Sequence, residues 1–138
     1  MTGMVTRKMD FPLAPRRTQW DRDRAEAAVR VETGAVDAPN AAYAGCFFWH
    51  DAAADRYDSY ELLYCDVVEG EIKAVPRAIF AVAGLLEGAR GGTTIPRADQ
   101  EAIKAVVAEW YAEMADEFGD ASIVVPWAGR NSRFWRTR

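Results

Sequence analysis

The sequence is poor in the residue types on which most chemistry rests. Among 138 residues there is one histidine, His50, and there are two cysteines, Cys46 and Cys65. A metal centre would have to be assembled from these three and from carboxylates. The spacings Cys-x-x-Cys, His-Glu-x-x-His and Gly-x-Ser-x-Gly do not occur, which argues against zinc, metalloprotease and nucleophile-elbow sites. No apolar run approaches the roughly 18 residues of a membrane-spanning helix. The first ten residues have no apolar core of the kind a secretory signal carries, so the cysteines are expected as free thiols in a reducing compartment. There is no internal repeat and no low-complexity tract. What is present fits one soluble globular domain: 50% apolar and 28% charged residues, on a chain long enough to bury a core without disulfide staples.

The net charge of −4 is unevenly spread. Residues 1–24 carry six bases against three acids (+3), and residues 127–138 carry four arginines and no acid (+4). The body between them has seven bases against 18 acids, a net of −11. Such polarity orients association more than it stabilises a fold. Either the basic ends are simply solvated, or they are arms that reach acidic surfaces on neighbouring subunits. Nucleic acid ranks below both, because the acidic body repels phosphate.

The pattern predicts an α+β fold. Residues 9–15 alternate Met9, Phe11 and Leu13 around two prolines, as in an extended segment lying on a surface. A helix follows from about 21 to 32, capped by Thr18 or Asp21 and stopped near Gly34. Its apolar residues are mostly alanine, so it needs a surface to pack on. Strands are expected near 43–50, 60–68 and 71–75, the last two joined through Glu69-Gly70. In the first strand Cys46, Phe48 and His50 share one face and Phe47 and Trp49 the other. Pro76 opens a helix over about 76–90. A second helix, about 96–118, has the clearest period, with Ile103, Val106, Val107, Trp110, Tyr111, Met114 and Phe118 on one side. The expected organisation is an N-terminal arm with a short helix (1–42), an α+β core (43–119) and a basic aromatic C-terminal tail (120–138).

Three groupings invite a functional reading, and each has a plainer one. His50 beside Asp51, with Cys46 on the same strand face, has the residue types of a nucleophile or metal site, but a strand-end histidine next to a loop aspartate is more often structural. Residues 88–94 are glycine-rich ahead of a helix, as in an anion site, yet lack the spacing of a phosphate or dinucleotide loop and read better as a helix–helix linker. Asp66, Glu69 and Glu71 have the charge to hold a cation, and a solvated hairpin turn accounts for them equally well. No catalytic residue, cofactor or metal ligand is therefore assigned.

The stretch Asp66-Val67-Val68-Glu69-Gly70-Glu71-Ile72-Lys73-Ala74-Val75-Pro76-Arg77-Ala78-Ile79-Phe80 resembles a segment recurring in tailed-bacteriophage head proteins. So does its continuation, Leu86-Glu87-Gly88-Ala89-Arg90-Gly91-Gly92 and Ile95-Pro96-Arg97-Ala98-Asp99. The resemblance extends more weakly from Leu13-Ala14-Pro15 and Trp20-Asp21 to Pro126-Trp127. In that family the region often accompanies prohead maturation proteases or occurs in other capsid-gene products. Relatives commonly have Lys-Leu-Pro and an apolar pair ahead of the aspartate, whereas this chain has Glu61-Leu62-Leu63-Tyr64-Cys65. The protease half has no counterpart here, so its activity does not carry over.

The resemblance implies a non-enzymatic virion component that binds the head shell, as a minor capsid or decoration-type protein. Its expected partners are the major capsid protein or neighbouring copies of itself, including a homo-oligomer, and no membrane. Its expected location is the phage head, after the host cytoplasm. The alternatives are an assembly factor of the immature head (a scaffold or protease-targeting module), and a small phage enzyme or host-directed inhibitor. Arginine and aromatic side chains concentrate interface energy. The expected partner-binding residues are accordingly Trp127, Arg130, Arg133, Phe134, Trp135 and Arg136, with Phe11, Arg16 and Arg17 from the N-terminal arm.

Overall fold

The N-terminal segment runs extended along the body, and its first described residues form a strand. A computed structural model describes residues 3–128. Strand β1 (Gly3–Val5) pairs antiparallel with β2 (Phe47–Asp51), and β2 pairs antiparallel with β3 (Tyr60–Leu63). This gives a three-stranded sheet in the order β1-β2-β3. A separate two-stranded sheet consists of β4 (Cys65–Val68) and β5 (Glu71–Ala74). Its turn has Glu69 and Gly70 both at positive φ, 54° and 83°, the left-handed pair that matches the twist of a two-residue hairpin. Further along, the N-terminal segment adds to β5: the Ala14 N–H donates to the Ala74 carbonyl at 2.8 Å, and the Ala74 N–H to the Pro12 carbonyl at 2.9 Å.

Helices complete the α+β architecture. Helix α1 (Arg22–Glu32) is capped by Asp21, whose carboxylate accepts the Arg24 N–H at 3.2 Å. It buries Ala25 and Val29 against β4, and the small side chains let the helix approach closely. Helix α3 (Pro76–Leu86) starts with proline at its first turn and ends before Gly88, which has φ 99°. Helix α4 (Arg97–Glu117) buries Ile103, Val106, Val107, Trp110, Tyr111 and Met114, the stripe that the sequence period marks. Helices α3 and α4 pack together, and α4 also reaches β1. One contiguous hydrophobic cluster takes members from Ala14 through to Ile123.

Two strand expectations need correction. The first residues of the expected strand 43–50 are not strand: Tyr43 and Ala44 belong to the short helix α2 (Ala41–Ala44), and the strand begins at Phe47. Asn40 caps α2 by accepting the Tyr43 N–H at 2.8 Å, and a cap within one turn outweighs the strand preference of tyrosine. The expected strand 60–68 is two strands in different sheets. Tyr64 is the break: its N–H donates to the Cys46 carbonyl at 3.1 Å, while its own carbonyl accepts from Val75 at 2.9 Å. It thereby ties one sheet to the other. Its ring stacks on Phe48 at 4.1 Å between centroids, and its hydroxyl donates to the Gly45 carbonyl at 2.8 Å. At the C-terminal end, Pro126 does not stop regular structure: residues 126–128 are helical, since proline suits the first turn of a helix.

Candidate partner-binding surface

The basic residues of the N-terminal segment are engaged largely within their own chain. Lys8 reaches α4, where its ammonium lies 2.7 Å from Glu113 Oε1 and 3.7 Å from the Trp110 ring centroid. Arg16 donates to Asp120 at 2.8 Å and stands over the Phe118 ring. Asp120 is held well below the usual carboxylate range, at about 2, by hydrogen bonds from Ser122 and Arg16. Phe11 is half-buried, 6.4 Å from the Tyr64 ring. Arg17 is exposed. Trp127 is half-buried, its ring 5.2 Å from the ammonium of Lys104. Of the other expected binding residues, Arg130, Arg133, Phe134, Trp135 and Arg136 lie outside the described residues.

The chemically suggestive side chains are buried or paired. His50 stacks on Tyr60 with centroids 4.7 Å apart and planes 10° apart. Its Nδ1 is buried without a hydrogen-bond partner, and desolvation pushes its pKa down despite the Asp51 charge. Cys46 and Cys65 are both free and wholly buried, and burial, followed by the hydrogen bond with Cys46, raises the Cys65 pKa well above its ordinary value. A thiol in that state is a poor nucleophile. Asp66 does not sit in a solvated turn: it is 2% exposed, accepts the Val67 N–H at 2.7 Å and faces Arg24 at 3.6 Å. Glu69 and Glu71 pair instead with Lys73, at 3.2 and 3.8 Å. Among the described residues no group of three or more His, Cys, Asp or Glu side chains is placed to hold a metal ion. No described helix is long and apolar enough to cross a membrane.

The surface feature that sequence reasoning misses is a groove along α3. Two adjoining hollows of about 290 and 440 Å³ share Trp20, Arg22, Ala81, Leu85 and Arg90. The smaller is bounded on one side by the edge strand β3, through Glu61 and Leu62. The larger is floored by Ala81, Gly84 and Ala89 and contains both arginines but no carboxylate. Leu62 and Arg90, both lining the smaller hollow, have positive φ, 66° and 54°. Such conformations are costly for residues with a Cβ and tend to mark functional surfaces. A signal for the groove was available in the sequence. From Pro76 to Leu86 only Arg77 is charged, so α3 is apolar on more than its core-facing side.

Comparison with protein-family models, curated proteins and solved structures returned no match for the chain.

Proposed function

We propose that this chain is a non-enzymatic structural component of a tailed-phage head, acting by protein–protein contact with the shell. One observation carries the reading: the stretches that resemble phage head proteins, far apart in sequence, adjoin one another in the fold. Leu13 and Ala14 pair with Ala74 of β5. Trp20 lines the same groove as Ala81 and Leu85 of α3 and as Arg90. Trp127 covers Lys104, whose ammonium lies 3.4 Å from Glu87. Their adjacency supports reading these stretches together. The state of Cys46, Cys65 and His50 agrees with a role that needs no nucleophile. The basic aromatic stretch from Trp127 to Arg136 belongs to the proposed contact, together with Arg17.

The test is quantitative mass spectrometry of purified mature particles from a phage carrying this gene. The expected result is a fixed ratio to the major capsid protein. Absence from mature particles, with presence in immature heads, would transfer the protein to the assembly-factor class. Absence from both would remove it from the head altogether.

A further inference from the structure

We infer that the larger hollow beside α3 is a docking site for an acidic segment of a partner protein, one that presents a carboxylate next to an apolar side chain. The inference rests on the proposed head function only for where that partner is found. Its basis is charge complementarity within a shaped groove. Residues 25–126 have a net charge of −11, yet this hollow of about 440 Å³, where Arg90 of that stretch meets Arg22 of the basic N-terminal part, is lined by two arginines and no acid. Arg90 makes no ion pair among the described residues; Arg22 lies 3.5 Å from the highly exposed Asp23 and its charge also acts on Glu26 and Glu61, so Arg90 is the freer of the two. Guanidinium groups bind carboxylates through paired N–H donors. A bound segment covering them together with Trp20 and Leu85 would shield that contact from water and strengthen it.

The walls narrow the choice of occupant. Trp20 and Leu85 are half-buried, so a bare anion would leave their apolar surface uncovered. Ala81, Gly84 and Ala89 give a floor without long side chains, which lets a peptide backbone come close. The chain's own C-terminal stretch, with Arg130, Arg133, Arg136 and Arg138 and no acid, has the wrong sign. A nucleic acid would bring phosphate towards the acidic body. Glu61 stands only in the smaller hollow, where it discourages a second carboxylate and sets the direction of the bound segment.

The experiment uses the full chain and two fluorescein-labelled nonapeptides, one alternating Glu and Leu and one alternating Lys and Leu, read by fluorescence anisotropy. The Glu-Leu peptide is expected to bind at least about tenfold more tightly than the Lys-Leu peptide, with affinity falling as salt rises. Arg22→Glu with Arg90→Glu should lose at least about tenfold, and Ala81→Trp should lose a similar amount by filling the floor. All three positions are exposed, so the melting temperature should hold. If the double reversal fails to fold, Arg90→Gln alone carries the test. Equal binding of both peptides, wild-type affinity in the variants, or full displacement by inorganic phosphate at matching concentration would overturn the inference. So would a concentration-dependent dimer abolished by Ala81→Trp, which makes a second copy the occupant. Peptide binding is measured without particles. Its failure with the protein present in virions sinks this inference alone, and its success with the protein missing from heads sinks the head reading alone.

Discussion

Replacing Trp110 tests both the placement of α4 and the way the N-terminal segment is held. Trp110 is 0% exposed. Its ring lies 5.6 Å from that of Tyr64 on one side, and the Lys8 ammonium is 3.7 Å from its centroid. Trp110→Ala removes the largest fully buried side chain in the core and leaves a cavity, at about 3–5 kcal/mol. A cation over a partly desolvated ring adds about 1–2 kcal/mol, and its loss also frees the Lys8–Glu113 pair. Against a typical stability of about 5–15 kcal/mol, the variant sits near the edge of folding. At about 3–5 °C per kcal/mol for a domain of this size, the melting temperature should fall by about 12–35 °C. Trp110→Phe is the sharper comparison. The indole N–H is buried without an acceptor, and an orphaned buried donor costs about 1–3 kcal/mol. Phenylalanine keeps a ring face for Lys8 and removes that donor, so it should cost less than half as much as alanine. Far-UV circular dichroism is the suitable readout, because five tryptophans blur emission. An alanine variant melting within about 2 °C of the parent, or a phenylalanine variant as weak as alanine, would refute the reasoning.

Three further outcomes are expected. The folded pKa of His50 is depressed, so below about pH 6.5 the unfolded chain binds a proton that the folded chain does not. Stability therefore falls with pH through this window, and His50→Phe, which keeps the stack on Tyr60, should flatten the fall; a steeper fall in the variant would reverse the sign. Cys46 and Cys65 should resist a thiol reagent in the native protein and give two reactive thiols per chain in guanidinium. An intact mass two daltons low after alkylation without reductant would mean a disulfide. Gly3→Ala should destabilise by about 1–3 kcal/mol, because a Cβ there meets both partners of the 2.9 Å Trp49–Asp99 hydrogen bond. An unchanged urea midpoint would show that β1 is wrongly placed.

The long-period elements were legible in the sequence because their packing and their local preferences agree. Helix α4 follows its apolar stripe, and α1 follows Asp21 and Gly34. The strands were harder to read. Residues 60–68 read as one apolar run, and nothing in their composition shows that Tyr64 turns the backbone from one sheet to the other. The pairing of residues 3–5 with β2 was equally hidden, since three residues have no period to detect. On the surface, the aromatic and arginine content of the chain ends drew attention to Phe11 and Arg16, which pack or pair within the chain. The α3 groove has no linear signature at its arginines and tryptophan, because Trp20, Ala81 and Arg90 meet only in three dimensions.

That redistribution of charge bears on how the two ends act. Lys8 and Arg16 bind acids at Glu113 and Asp120, so these two bases hold the segment onto the body, whereas Arg17 stays exposed. Among the described residues, exposed basic charge then remains at Arg17 and in the Arg22–Arg90 hollow, and the sequence adds four arginines beyond Trp127. Deleting residues 129–138 separates these four from the rest. The deletion spares Trp127, its contact with Lys104 and the buried Ile123, so the melting temperature should stay within about 2 °C, well below the shift expected for a core substitution. Loading onto heads should fall and lose most of its salt sensitivity, because four arginines leave with the segment and long-range steering weakens with them. A shortened chain that still loads fully, while the Arg22→Glu, Arg90→Glu variant does not, would place the whole contact on the groove. A shortened chain that melts far lower would instead show that the segment is part of the body.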